Sequence, residues 1–280
     1  MSTMIIVLVH YGQHFPEHIH DCVNQLKKYN PATEVHILLE KAHDVKDAKV
    51  VSLDKIPKSL NHEKFNEVSK LDRDYRGGFW HAAAERFMAI SDYMEHTGNT
   101  DVIHIEYDNL IYMNISNLLP VFQKHYKHIA VPTDSPGRVI PSFMYFRDAD
   151  SIQHMTKFMV DNVPKFTNEM QLLKAYMNVF PERMKALPIA RPPFVPDEYT
   201  NHLDEFQCIF DAAALGQYVG GIDPRNTPGN TEGFINETCV FPADRAGLEW
   251  RDGLPWAFGL PVVNLHIHCK NLKKWSTHSK

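Results

Sequence analysis

No window of this 280-residue sequence approaches the ~18 consecutive apolar residues that a membrane-spanning helix needs. The N-terminus, Met-Ser-Thr-Met-Ile-Ile-Val-Leu-Val-His-Tyr-Gly, has no basic start, no longer apolar region and no small-residue cleavage site, so it is no secretory signal and a cytoplasmic chain is expected. Cysteine is scarce: Cys22, Cys208, Cys239 and Cys269 are scattered, with no Cys-x-x-Cys pair, as free thiols in a reducing compartment would be. The sequons at Asn114 and Asn236 would then meet no glycosylation machinery. Basic residues are not in excess either. With 29 Lys and Arg against 34 Asp and Glu, and a formal net charge of -5, the chain carries no electrostatic footprint for nucleic acid. No run of Lys or Arg marks a membrane surface, and there is no internal repeat or low-complexity stretch.

What is present is an ordinary globular composition, 44% hydrophobic, enough for a sizeable core. Histidine is the exception, with 17 copies that raise the question of metal chemistry or pH sensing. His14, His18 and His20 cluster where a first helix should start, without the spacing or acidic neighbour of a metal signature, and are read as surface or capping residues.

The order of elements gives the fold class. Residues 4–10 form a continuous apolar run of strand length, residues 18–29 carry a helical pattern ending at Asn30-Pro31, and residues 34–39 form a second strand. Strand, helix and strand within forty residues predict a right-handed crossover in a parallel sheet. Residues 41–76 are charged and weakly periodic and are read as connecting structure around a short strand near 50–53. A helix is expected from Gly78 to about Glu95, closed by Gly98-Asn99. At 100° steps Phe79, Ala83, Phe87, Ile90 and Met94 share one stripe, with Arg86 at its edge and His81, Glu85 and Asp92 on the polar side. Strands follow at 102–105, 129–133 and 142–146, with a turn at 134–137, then helices at 151–161 and 168–179. Pro188, Pro192, Pro193 and Pro196 forbid regular helix over 187–197. Asp211 is placed to cap a short helix at 212–219 that Gly220-Gly221 ends, and the loop 222–231 carries Pro224, Pro228 and Gly229. One domain is expected over 1–280, with a ligand-binding half at 1–115 and a second half at 116–280.

Chemistry concentrates first at residues 102–112, Val-Ile-His-Ile-Glu-Tyr-Asp-Asn-Leu-Ile-Tyr, where an apolar strand ends on Glu106 and Asp108. A strand period of two turns both acids, and His104, to one side. Carboxylates at the mouth of a buried strand need compensation, and a hard divalent cation bearing a diphosphate supplies it. Arg86 needs an anionic partner too, an internal acid or a phosphate or carboxylate at the site. Near the C-terminus, Asn264, His266 and His268 alternate with Val263, Leu265 and Ile267, presenting two imidazoles on one face. Imidazole with carboxylate suits Mn²⁺, whereas carboxylates alone lean towards Mg²⁺ or Ca²⁺.

Together these features resemble the nucleotide-sugar glycosyltransferases of the GT-A fold. Glu106-Tyr107-Asp108 is similar to their acid-x-acid motif, although Glu stands first where Asp is commoner. His266 or His268, ahead of residues 270–275 with their Lys and Trp, resembles the C-terminal His of family members ending in a His, Lys and Trp pattern. The phrases Arg76-Gly-Gly-Phe-Trp80, Glu85-Arg86-Phe87 and His104-Ile-Glu-Tyr-Asp-Asn109 are similar to other members of the class. The resemblance implies a GT-A-like, mainly parallel α/β sheet flanked by helices and transfer of a sugar from a nucleotide donor, UDP-linked by expectation, to a glycan or other hydroxyl acceptor in glycan biosynthesis. It implies Mn²⁺ or Mg²⁺ on Asp108, completed by His266 or His268, with Glu106 on the ribose hydroxyls or on the metal through water. His10 and Tyr11 would hold the nucleoside, and Arg86 and Arg76 the donor phosphate or sugar. For an acceptor base, Asp211 and Glu237 are candidates, against the plainer readings of a helix cap and a solvated loop acid. Glu169 lies where related enzymes have an acid near the transferred sugar. The alternatives are a sugar-nucleotide nucleotidyltransferase, a phosphoesterase, and an inactive sugar- or nucleotide-binding protein. The first should carry a Gly-rich basic loop after the first strand, which Val9-His-Tyr-Gly-Gln-His14 is not. The second should carry local His-x-Asp or Asp-x-His motifs feeding two metals, and the sequence has no more than the single triplet His202-Leu203-Asp204.

Overall fold

The computed structural model describes residues 4–12, 14–41, 43–225 and 231–277, so Gln13 and part of the expected loop at 222–231, with Pro228 and Gly229, lie outside the described residues. The first half of the chain runs β1 (Ile5–His10), α1 (His18–Tyr29), β2 (Glu34–Leu39), β3 (Lys49–Ser52), α2 (Leu60–Val68), α3 (Phe79–Thr97), β4 (Val102–Ile105), β5 (Asn109–Ile111) and α4 (Leu119–His125). Then come β6 (Ile129–Val131), β7 (Thr133–Ser135), β8 (Arg138–Val139), β9 (Phe143–Phe146), α5 (Ala149–Asn162), α6 (Glu169–Val179) and β10 (Met184–Ala186). The last part holds α7 (Leu203–Phe206), α8 (Leu215–Gly220), β11 (Glu249–Arg251), β12 (Leu254–Ala257), β13 (Leu260–Pro261), β14 (Asn264–His266) and α9 (Leu272–Trp275).

Seven strands form one sheet in the order β10-β6-β9-β4-β1-β2-β3. Strand β9 runs antiparallel to β4 and β6, and the remaining pairings are parallel. This is the mixed, mainly parallel α/β architecture that the sequence predicts. Strand β1 is apolar on both sides because both sides are covered. Ile6 and Leu8 pack with Ile19, Cys22, Val23 and Leu26 of α1, while Ile5, Val7 and Val9 pack with Phe87, Ile90 and Met94 of α3. Core clusters thus lie on both faces of the sheet. Among the described residues no helix is long and apolar enough to cross a membrane, and all four cysteines are free thiols.

Three differences from the sequence reading have plain causes. Helix α2 was not expected, because only His62 and Phe65 of its nine residues are buried and its period is weak; a Ser59 side-chain cap on His62 N starts it. The polar side of α3 is not solvent-facing, since α2 covers it: His81 and Asp92 are buried, and Phe79, assigned to the apolar stripe, is exposed. The turn at 134–137 is the tip of a β7-β8 hairpin. Residues 187–196 carry neither helix nor strand, as their prolines require.

Candidate functional site

The central sheet brings the carboxyl ends of β1 and β4 side by side, and the acids follow directly. Strand β4 stops at Ile105, so the strand period does not run through the acids: Glu106 and Asp108 still converge, by way of a turn, but His104 is not with them. Glu106 N donates to Ser142 O at 2.9 Å and Asn109 N to Glu106 O at 3.0 Å, a tight turn that carries Tyr107 and Asp108 over into β5. His104 stays behind under α3, with Nδ1 donating to Val7 O at 3.0 Å and its ring edge-on to Phe87. Burial, then the charge of Arg86, lowers its pKa to about 3, so the ring is neutral.

Strand β5 pairs antiparallel with β14 in a register that sets His266 opposite Asn109. That register brings together residues 158 positions apart in sequence. His266 Nε2 lies 2.9 Å from Asp108 Oδ2 and 3.3 Å from Glu106 Oε2. One ligand atom from each of Glu106, Asp108 and His266 falls within 4.8 Å of the others. Lys270, four residues on, pairs with the same Asp108 oxygen. Burial opposes the charge on Asp108, but His266 and Lys270 outweigh it and hold the carboxyl well below the usual range. The His266 pKa is raised in turn: burial opposes its charge and Asp108 overcomes it. His268 turns away from the cluster. Its Nδ1 accepts from Asp223 N at 3.1 Å, and burial with the neighbouring His266 lowers its pKa to about 4.

The backbone of His266 is fixed from below. Asp211, 1% exposed, accepts from Ala214 N and Leu215 N on Oδ1 and from Gly216 N and His266 N on Oδ2. These four bonds fill the carboxylate's acceptor sites. Asp211 thus caps the start of α8 and anchors β14, and no lone pair is left for an acceptor hydroxyl. Gly216 sits so close that a Cβ there would lie 2.2 Å from His266 O.

Arg86 lies inside, 8% exposed. Its Nη1 pairs with Glu106, and Nη2 is 3.8 Å from Glu169 Oε1. Arg86 Nε and Nη2 and Glu169 Oε2 are buried without a hydrogen bond. Burial pushes the Glu169 carboxyl up, with Arg86 counteracting it. Of the three candidate catalytic acids, Asp211, Glu237 and Glu169, Glu169 is the one beside the cluster with a buried oxygen still lacking a donor. Glu237 is exposed, on a loop whose neighbours Asn236 and Thr238 bond to Arg138 of the β7-β8 hairpin.

His10 Nδ1 is 3.2 Å from Tyr107 Oη, tying the end of β1 to the acid turn, while burial lowers its pKa. Tyr11 points to the other side of the sheet, into a cavity of about 310 Å³ whose walls include Glu40, Leu53, Asp54, His62 and Glu85. The cavity begins where β1, β2 and β3 end and is not walled by the acid-imidazole cluster. Beneath it His62 bridges Asp92 at 2.6 Å and Glu85 at 3.1 Å. Arg76 pairs through Nη2 with Asp223 at 2.8 Å, and its guanidinium lies over the Phe79 ring.

The sequence reading took Lys270 only as part of the C-terminal His, Lys and Trp pattern and did not single out Asp223. The signal for Lys270 was a base four residues after His266; Asp223 pairs with the nearby Arg225, while its other partners, Arg76 and His268, come from distant segments.

Fold and site define an α/β protein with an acid-imidazole cluster at the carboxyl end of a mainly parallel sheet. No protein-family model matches the chain, and neither does any curated protein. Among solved structures it is similar to mouse xyloside xylosyltransferase 1 in its apo form, at 11% identity and a TM-score of 0.48, over 74% of this chain and 92% of that one. It is also similar to the glycosyltransferase GlyE of Streptococcus pneumoniae TIGR4, at 8% identity and a TM-score of 0.41 over 66% of this chain and 45% of that one. The apo form of GlyE gives 9% identity and a TM-score of 0.43 over 67% and 45%. The chain thus spans under half of GlyE. At such identities any statement of chemistry rests on the site.

Proposed function

We propose that this chain is a metal-dependent glycosyltransferase that moves a sugar from a nucleoside-diphosphate donor, UDP-linked, to a hydroxyl acceptor. The observation that carries the reading is the convergence of Glu106, Asp108 and His266 beside an Arg86 whose Nε and Nη2 lack acceptors. Two carboxylates and an imidazole fit Mn²⁺ or Mg²⁺, and the burial of Asp108 and His266, with Glu106 half-buried, favours a bound cation over solvated charge. Asp108 and His266 would hold it directly, with Glu106 as third ligand or reaching it through water. The cation supplies Lewis-acid neutralisation of the leaving diphosphate.

The protein groups have complementary tasks. Arg86 presents its unused donors to a phosphate or sugar oxygen, and its pairing with Glu106 and Glu169 fixes the plane of the guanidinium. Lys270 exchanges its contact with Asp108 for the diphosphate. His10 and Tyr107 brace one wall, and Tyr11 with its neighbouring cavity takes the nucleoside, a volume within the usual range for ligand sites. Glu169, kept uncharged more easily by burial, faces the transferred sugar or the acceptor hydroxyl.

Incubation with UDP-glucose and Mn²⁺ should release UDP, and Asp108→Ala should abolish the release. Donor binding without turnover would identify a sugar-nucleotide-binding protein instead. If several UDP- and GDP-sugars give neither metal-dependent binding nor hydrolysis, the assignment is wrong.

A further inference from the structure

A second cluster of metal-binding groups lies away from this site, where the C-terminal end of α4 meets α7. His125, in the last turn of α4, and His202, immediately before α7, stack face to face with ring centroids 3.8 Å apart and planes at 18°. Glu205, one turn into α7, completes the group, its Oε1 2.6 Å from His125 Nε2. One ligand atom from each of the three falls within 4.8 Å of the others. The other carboxylate oxygen, Oε2, is held at 2.7 Å by Lys124, which aims Oε1 at the imidazoles.

Two histidines and a glutamate are a recurrent zinc ligand set, with a fourth, open position for water. Tetrahedral zinc with bonds near 2.0–2.1 Å separates its ligand atoms by about 3.3 Å, so the His125 to Glu205 contact opens by about 0.7 Å and the two rings turn out of their stack about χ2 to aim their in-plane lone pairs at one point. His202 itself takes a left-handed backbone, φ 57° and ψ 24°, uncommon for a non-glycine residue, and its ring also meets Tyr126 edge-on.

We infer that His125, His202 and Glu205 form a second divalent-metal site, selective for Zn²⁺, that staples α7 to α4. The chain leaving α7 reaches Ile209, which bridges to Val262, and then Asp211, the anchor of His266. Zinc at this position therefore braces the segment on which the acid-imidazole cluster rests. The site stands whether or not the chain transfers sugar.

Zn²⁺ titration of the full chain, by calorimetry against a competing chelator, counts the bound equivalents. The His125→Gln, His202→Gln double variant should bind one equivalent fewer than the unaltered chain, and Glu205→Gln should weaken that equivalent more than about tenfold. All three side chains are partly or largely exposed, so the variants should keep the native circular dichroism spectrum. Unchanged stoichiometry and affinity in the double variant would overturn the inference, as would the absence of any Zn²⁺ equivalent that Glu205→Gln weakens.

Discussion

At the scale of single residues the site is a set of charges that compensate each other only in part. Asp108 is shared by His266 and Lys270, and Glu106 by Arg86 and His266. Arg86 keeps nitrogens without an acceptor, and Glu169 an oxygen without a donor. Such groups cost folding free energy, on the order of 1–3 kcal/mol each, and are explained by a ligand that completes them. Arg86→Lys keeps the charge but loses the planar fork, and should lower kcat/KM for donor turnover by about 10²-fold with folding stability little changed. Kinetics on the purified variant check this; wild-type kcat/KM would reduce Arg86 to an internal ion-pair partner of Glu106. Much of this set was legible in sequence, because the acid pair follows an apolar strand and Arg86 sits on the edge of a helical stripe. What was not legible is the division of labour. Choosing His266 over His268 depends on the register with β5 and on Asp223, which takes His268 through a contact 45 residues away in sequence.

At the scale of elements, three short pieces decide where the imidazole stands. Strand β5 supplies the register, β14 the residue and α8 the floor. Asp211 joins two of these by filling its carboxylate with N–H groups from α8 and β14. The sequence showed Asp211 as a cap for a helix near 212–219, and that is the role its bonds fit, although the helix begins at Leu215. It could not show that the same carboxylate also holds the His266 N–H, a contact across 55 positions. Helix α2 was hidden for a related reason: with two inward residues it has almost no period, and what fixes it is the match of His62 to Glu85 and Asp92 on α3. The close approach of α8 to β14 gives a sharp test. Gly216→Ala would set a methyl against His266 O, so the backbone must move, at a cost of about 1–3 kcal/mol. Urea unfolding should show that loss, and Mn²⁺ affinity should fall with it as His266 leaves Asp108. Unaltered stability and Mn²⁺ affinity would mean that α8 does not position the imidazole.

At the scale of the whole molecule, the sheet does what open α/β sheets do: it gathers the ends of β1 and β4 at one edge and leaves them to loops. The crossover from β1 through α1 to β2 was legible from hydrophobic runs and the Asn30-Pro31 stop. The reversed strand β9 was not, because its Phe-Met-Tyr-Phe run is buried and reads the same in either direction. Two regions at that edge now have distinct proposed tasks, the acid-imidazole cluster for the diphosphate and the cavity beside Tyr11 for the nucleoside. Their linkage through one ligand is the central claim, and calorimetric titration with UDP tests it directly. The account predicts that UDP binds the unaltered chain in the presence of Mn²⁺, and at least about tenfold more weakly when EDTA replaces the metal or Asp108→Asn replaces its ligand. UDP affinity that is the same in all three conditions, or no UDP binding in any of them, would contradict it.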